Sequence, residues 1–149
     1  MTKPSPPSPA RGPADHDVRD QIIQAAMEHF AHYGYDKTTV SDLAKSIGFS
    51  KAYIYKFFES KQAIGEVICS SRLALIMQRV EAATGNAPSA SEKLRRLFRN
   101  IAEAGADLFF QERKLYDIAA VASRDQWSSV KSHEAHISRI IQEILIQGR

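Results

Sequence analysis

Between residues 39 and 58, apolar side chains recur at helical spacing on both sides of one glycine, and this interruption constrains the fold more than any other feature of the chain. Val40, Leu43, Ala44 and Ile47 follow one another in steps of three and four, the period of a helix rather than a strand. Thr39 is placed to cap that helix, and Asp42, three positions on, to complete a capping box with it. Gly48 tolerates the left-handed backbone that ends a helix and starts a turn. Phe49 can then plug the corner, and Ser50 can cap a second helix whose Ile54, Phe57 and Phe58 fall on one side. Small Ala44 lets the two helices approach closely. Two short helices packed through a tight glycine turn form a helix-turn-helix.

The other side of the second helix carries Ala52, Tyr53, Tyr55 and Lys56, with Lys51 near its start. Two aromatics and two cations on a face with no packing duty need an explanation, and entry into a DNA major groove supplies one. From Lys37 to Lys61 there are five lysines (Lys37, Lys45, Lys51, Lys56, Lys61) against Asp42 and Glu59, a local balance equal to the +3 of the whole chain. Such lysines neutralise phosphates and release counterions, which makes binding salt-sensitive. Phosphate contacts fix position, and only a few side chains reach base edges. The same pattern also fits an ordinary solvated face of a small helical domain, and pattern and charge alone leave both readings open.

The flanking residues extend the signal. Arg19, Ile22, Ile23, Ala25, Ala26 and Phe30 precede Gly34-Tyr35 and Thr38-Thr39-Val40. Leu43-Ala44, Gly48-Phe49-Ser50-Lys51, Ile54-Tyr55, Phe57-Phe58 and Ser60-Lys61 follow in order. From about Arg19 to Val67 the chain resembles the DNA-binding domain of the tetracycline-repressor (TetR) family of one-component transcriptional regulators. The resemblance implies that Thr39, Ser50, Tyr55, Lys56 and Lys61 hold phosphates, Lys61 at the start of a fourth helix whose amides add to the attraction. It places Ser41, Lys51, Ala52 and Tyr53 where family members approach bases. Tyr53 stands where the family often has a smaller residue, so base preference does not carry over.

The expected fold class is all-α, in three parts. Residues 1–14 hold five of the six prolines and read as a disordered arm, with Lys3 and Arg11 as its only cations and no apolar stretch of a secretion signal. Residues 15–62 form the three-helix domain with the helix-turn-helix, its first helix running from about Asp17 to Tyr33 behind an Asp15 or Asp17 cap. Residues 63–149 form a partial helical regulatory domain. Its fourth helix spans Ser60 to about Ala83, with Ile64, Val67, Ile68, Leu75, Ile76 and Val80 inward. Gly85, Asn86 and Pro88 break the pattern, and Ser89 with Glu92 makes a second capping box. A fifth helix then carries Leu94, Leu97, Phe98, Ile101, Leu108 and Phe109 on one stripe. A short helix around 115–122 follows, and a last one from about Ser129 to Gln147 bears Val130, Ile137, Ile140, Ile141, Ile144 and Leu145.

In the resembling family this second region encloses a small-molecule pocket and forms a dimer through its last two helices. The resemblance thus implies a palindromic double-stranded DNA operator, a small-molecule inducer and a homodimer. The chain stops at about the point where the family's seventh helix gives way to its eighth, so the helices expected to make most of the dimer interface lie outside it. It is then a fragment of a longer regulator or a shortened product. A shortened product would be an interaction module that binds a partner or heterodimerises with an intact regulator instead of binding DNA.

Other constellations carry less. His133 and His136 flank Glu134 at a spacing of three, and His29 with His32 repeats it, but neither pair has the further ligands a metal needs. Cys69, the one cysteine, sits in an apolar helical stretch and suits a reducing cytoplasm without disulfides. Trp127, Tyr116, Phe109 and Phe110 suit either an aromatic ligand pocket or an ordinary core. No phosphate loop, nucleophile elbow or paired carboxylates occur, so neither catalysis nor a cofactor is expected. No apolar run approaches membrane-spanning length.

Overall fold

Serine caps and glycine stops mark most of the helix ends. The structure, a computed structural model, describes the backbone of residues 11–148 and the side chains of residues 15–148. Seven helices and no strand occur among the described residues: α1 (Arg11–Tyr33), α2 (Val40–Ile47), α3 (Lys51–Tyr55), α4 (Lys61–Thr84), α5 (Ala90–Gln111), α6 (Arg113–Arg124) and α7 (Ser128–Gln147). The fold is all-α, with the helix-turn-helix ahead of a second helical region, as expected. The side chains of Ser50, Ser60 and Ser89 accept from the amides of Tyr53, Ala63 and Glu92 at 3.0, 3.1 and 3.1 Å, opening α3, α4 and α5.

Three local expectations are corrected. Helix α1 starts at Arg11, not Asp17, so the last residues of the expected arm are helical and the Asp15 or Asp17 cap does not arise. Pro13 is compatible with this because the first turn of a helix has no intrahelical partner for its amides. The remainder of the arm, with Lys3, lies outside the described residues. Ser89 caps α5, but Glu92 does not return the bond; its carboxylate takes Arg95 and Arg96 instead, at 2.6 and 3.1 Å. Several side chains expected inward are exposed, namely Val67, Leu75, Phe98 and Leu145.

The exposure of Val67 and Leu75 has a geometric cause. The buried residues of α4 are Ile64, Gly65, Ile68 and Cys69 in its first half and Met77 and Val80 in its second. At 3.6 residues per turn these two groups lie roughly a third of a turn apart around the helix axis. The first half packs into a core with Ile22, Phe30, Leu43, Ile54, Leu115 and Ile118. The second half packs into a separate core with Leu97 of α5 and Ile144 of α7. Because α4 changes partners along its length, no single stripe describes it.

The first core also joins α1–α3 to α6. This core therefore includes residues on both sides of the expected division at residues 62 and 63. Trp127, which precedes α7 and is only 3% exposed, belongs to this core. The indole packs edge-on to Tyr35 at 5.4 Å between centroids, and Tyr35 in turn meets Phe30 at 5.2 Å. Gly65 of α4 makes room for it: a Cβ there would lie 2.8 Å from Trp127 Cη2 and 3.1 Å from Tyr35 Cε2. One turn lies between Gly65 and Lys61, whose Nζ donates to the Tyr35 carbonyl at 2.9 Å and sits 4.2 Å from the centre of the Tyr35 ring. Glu66 Oε1 accepts from Ser128 Oγ at 2.8 Å and from the Ser129 amide at 3.4 Å, capping α7 from α4 where α7 has no side-chain cap of its own. Burial, with Asp36, Asp125 and Glu66 nearby, pushes the Tyr35 hydroxyl up to about 12, so the ring stays neutral at this junction.

Candidate nucleic-acid interface

The corner is built as the residues require. Thr39, with extended backbone, accepts from the Asp42 amide at 3.1 Å, and its own amide donates to Asp42 Oδ2 at 2.9 Å, the complete capping box. Thr39 holds the Asp42 carboxyl below the usual carboxylate range, first through its backbone amide and then through its side chain. A depressed folded-state pKa means that the box contributes stability above the unfolded value, near pH 4, and loses it as pH falls through the folded value. The protection of α2 amides against exchange, relative to an unfolded chain at the same pH, is therefore expected to fall below about pH 4, and Asp42→Asn is expected to flatten that dependence.

Gly48 has φ +73 and ψ 24, and the Phe49 amide reaches back to the Ala44 carbonyl at 2.9 Å, closing α2. A Cβ on Gly48 would meet nothing within 4 Å. Its requirement for glycine is thus purely conformational, and Gly48→Ala is expected to cost about 1–2 kcal/mol of unfolding free energy in urea titration.

Beyond this corner α3 is one turn and a half of helix, tightening at its end where the Lys56 amide bonds the Tyr53 carbonyl and the Phe57 amide bonds that of Ile54, at 3.1 and 2.9 Å. Ile54 and Phe58 are buried beneath it. Lys51, Ala52, Tyr55 and Lys56 are exposed, Tyr55 at 44%. Lys51 Nζ lies 5.9 Å from the Tyr55 ring centre, and Lys56 Nζ the same distance from that of Tyr53. Neither ammonium has a carboxylate partner among the described residues. They form a basic, aromatic surface with charge to spare.

Tyr53 departs from expectation. Its ring is half-buried, edge-on between Phe49 at 5.0 Å and Phe57 at 5.3 Å. It therefore packs as well as facing outward, because the three aromatics at 49, 53 and 57 fall one turn apart along the corner. Lys61 likewise does structural work on Tyr35, with one of its three N–H donors used there. Thr39 and Ser50 are exposed and use their oxygens as acceptors in caps, leaving each hydroxyl hydrogen free to donate. Ser41 is half-buried on the first turn of α2.

Sequence reasoning gave Arg19 no structural task. Its Nη1 donates to the Phe57 carbonyl at 3.0 Å, and its guanidinium lies 4.5 Å from the centre of the Phe58 ring. From α1 it holds the C-terminal end of α3, satisfying a carbonyl that the short helix leaves without a partner.

The remaining candidates fall elsewhere. Burial raises the Cys69 thiol above its ordinary value, which keeps it protonated and unreactive. His133 and His136 line an open groove between α4 and α7, burial lowering the basicity of His133; among the described residues no three histidine, cysteine or acidic groups come together to hold a metal. Of the four aromatics weighed as a pocket, Trp127 is core, Tyr116 lines a cavity between α4, α5 and α6, and Phe109 and Phe110 do not line it. No described helix is long and apolar enough to cross a membrane.

Comparison with known proteins agrees with this geometry. The family described as "Bacterial regulatory proteins, tetR family" matches residues 22–67, which span most of α1, all of α2 and α3, and the start of α4. The biofilm operon icaADBC negative transcriptional regulator IcaR of Staphylococcus aureus is 45% identical over 49 residues, covering 33% of this chain and 26% of that regulator. The HTH-type transcriptional repressor KstR2 of Mycolicibacterium smegmatis is 35% identical over 86 residues, covering 58% of this chain and 42% of its own length. The chain thus spans less than half of either relative. A TetR/AcrR-family transcriptional regulator structure from Thermobifida fusca superposes with a TM-score of 0.59 at 27% identity, over 89% of this chain and 70% of that one. Residues 22–67 thus match the family of bacterial regulatory proteins of the tetR type, and the all-helical architecture resembles that of a TetR/AcrR-family regulator.

Proposed function

We propose that this protein is a cytoplasmic transcriptional repressor, not an enzyme, that binds a double-stranded DNA operator as a homodimer and leaves it when a small molecule binds the second helical region. The observation carrying the reading is the face of α3, where Lys51, Tyr55 and Lys56 stand exposed, with no carboxylate partner among the described residues, on a corner capped at both helices. In this reading Thr39, Ser50, Tyr55, Lys56 and Lys61 hold phosphates, and Ser41, Lys51, Ala52 and Tyr53 face base edges. The repressing relatives IcaR and KstR2 support the direction of control.

The general requirement that groove-reading helices act in pairs spaced by one DNA turn supports the dimer. Sedimentation of the chain with and without duplex tests it, and a complex of one chain per duplex would refute it. A second reading, a module that pairs with another regulator, draws on the exposure of Leu145 and Ile146 on α7. It predicts that the chain fails to bind duplex alone but lowers the affinity of the intact regulator it joins.

A further inference from the structure

Between α4, α5 and α6 lies a cavity of about 200 Å³ lined by Leu73, Ile76, Ile101, Leu108, Leu115 and Ile118, among other side chains. Arg72 is the one charged residue in its lining. A second recess of about 210 Å³ adjoins it, sharing Arg72, Ile76 and Leu108 and adding Arg79, Asp107 and Glu112. The guanidinium thus stands where an apolar chamber adjoins a recess of more mixed lining. A lone cation at the mouth of an apolar cavity is costly unless something compensates it. Glu112 does so only weakly. Arg72 Nη2 meets Glu112 Oε1 at 3.2 Å, the one hydrogen bond of this guanidinium among the described residues, and both side chains are about one-third exposed. An arginine offers five N–H donors in a fork that matches a carboxylate bidentately, so most of this capacity is unused.

We infer that the site takes a small amphipathic carboxylate, its apolar tail in the cavity and its carboxylate on Arg72 in exchange for Glu112. The cavity alone is smaller than the roughly 300–1,000 Å³ that encloses a drug-sized molecule, which selects a medium-length aliphatic acid over a polycyclic one. The carboxylates lie outside the cavity lining and the cation lies in it, which selects an anion over an amine. Exchange at Arg72 would free Glu112 at the joint between α5 and α6. This inference rests on the second helical region being the regulatory site, and names the class of molecule it would answer to.

Calorimetric titration of the full chain at neutral pH with hexanoate, octanoate, octanol and octylamine tests it. Octanoate is expected to bind more tightly than hexanoate, by about fourfold for each methylene the cavity accepts, and at least tenfold more tightly than octanol or octylamine. Glu112→Gln removes the competing carboxylate and is expected to tighten octanoate; Arg72→Gln is expected to bring octanoate and octanol to the same affinity. Gly105 also lines the cavity, and a Cβ there meets nothing within 4 Å. Gly105→Leu is therefore expected to fill the space and abolish binding while keeping or raising the melting temperature. Equal affinity for octanoate and octanol in the unaltered chain, preference for octylamine, or octanoate binding that survives Gly105→Leu would each overturn the inference. DNA affinity is measured separately: octanoate that binds with these dependences but leaves the duplex bound would sustain the ligand class and refute release by it. Release by a neutral or cationic compound in the absence of octanoate binding would do the reverse.

Discussion

Replacing Trp127 by alanine is expected to cost about 3–5 kcal/mol, the range for deleting a buried large aromatic side chain. The loss comes from three directions. The indole fills the space that Gly65 leaves in α4, stacks edge-on against Tyr35, and precedes the start of α7 that Glu66 caps. Its removal opens a cavity at the junction where α4 leaves the helix-turn-helix, so both halves of the chain should loosen together. Urea titration followed by far-ultraviolet circular dichroism is expected to show the midpoint falling with its slope unchanged. A double-mutant cycle with Gly65→Ala sharpens the test. The added methyl clashes with the indole in the native chain, an overpacking of about 1–3 kcal/mol, but occupies vacated space once Trp127 is alanine. The double variant should be more stable than the sum of the single losses implies. Strict additivity would show that Trp127 and Gly65 do not share the contact.

The second large effect concerns DNA. Lys56→Ala is expected to weaken binding to every duplex by roughly 10–100-fold, the value of a charged hydrogen bond of about 1.5–3 kcal/mol. The slope of log affinity against log salt should fall by about one, the signature of one phosphate lost. Tyr55→Phe should lower affinity uniformly but leave that slope alone, since it removes a neutral donor. Lys51→Ala acts differently: in the proposed reading it faces base edges from the first turn of α3, so it should narrow the ratio between the preferred duplex and a scrambled one. Tyr53 requires the milder Tyr53→Phe, because its ring packs between Phe49 and Phe57 and an alanine there would disturb the corner itself. Lys61→Ala carries a similar complication, since it also removes the bond to the Tyr35 carbonyl.

The parts legible in the sequence were those decided locally. The capping box at Thr39 and Asp42, the left-handed Gly48 and the Ser50 cap each depend on residues within three or four positions, and each formed as read. Helix existence followed from periodicity in the same way. What escaped was set by partners distant in sequence. Arg19 supports α3 across 38 positions, and Lys61 reaches Tyr35 across 26, neither with a local pattern to announce it. The inward stripe of α4 was misread at Val67 and Leu75 because one helix serves two cores on different sides. Helical spacing puts Tyr53 on the outer side, Phe57 on the inner side and Phe49 in the corner, whereas all three rings meet along the corner. Trp127 could be recognised as an aromatic of the second region, but its place against Gly65 and Tyr35 required the fold.

The most direct test of the proposed DNA-reading role of the α3 face is selection of duplexes from a random-sequence pool, using the unaltered chain and a Lys51→Ala/Lys56→Ala variant matched for helical content. The unaltered chain is expected to enrich a sequence made of two half-sites about one helical turn apart, held less tightly as salt rises, and the variant to enrich nothing. A pool that emerges without enrichment, or a variant that holds the selected duplex as tightly as the unaltered chain, would contradict it.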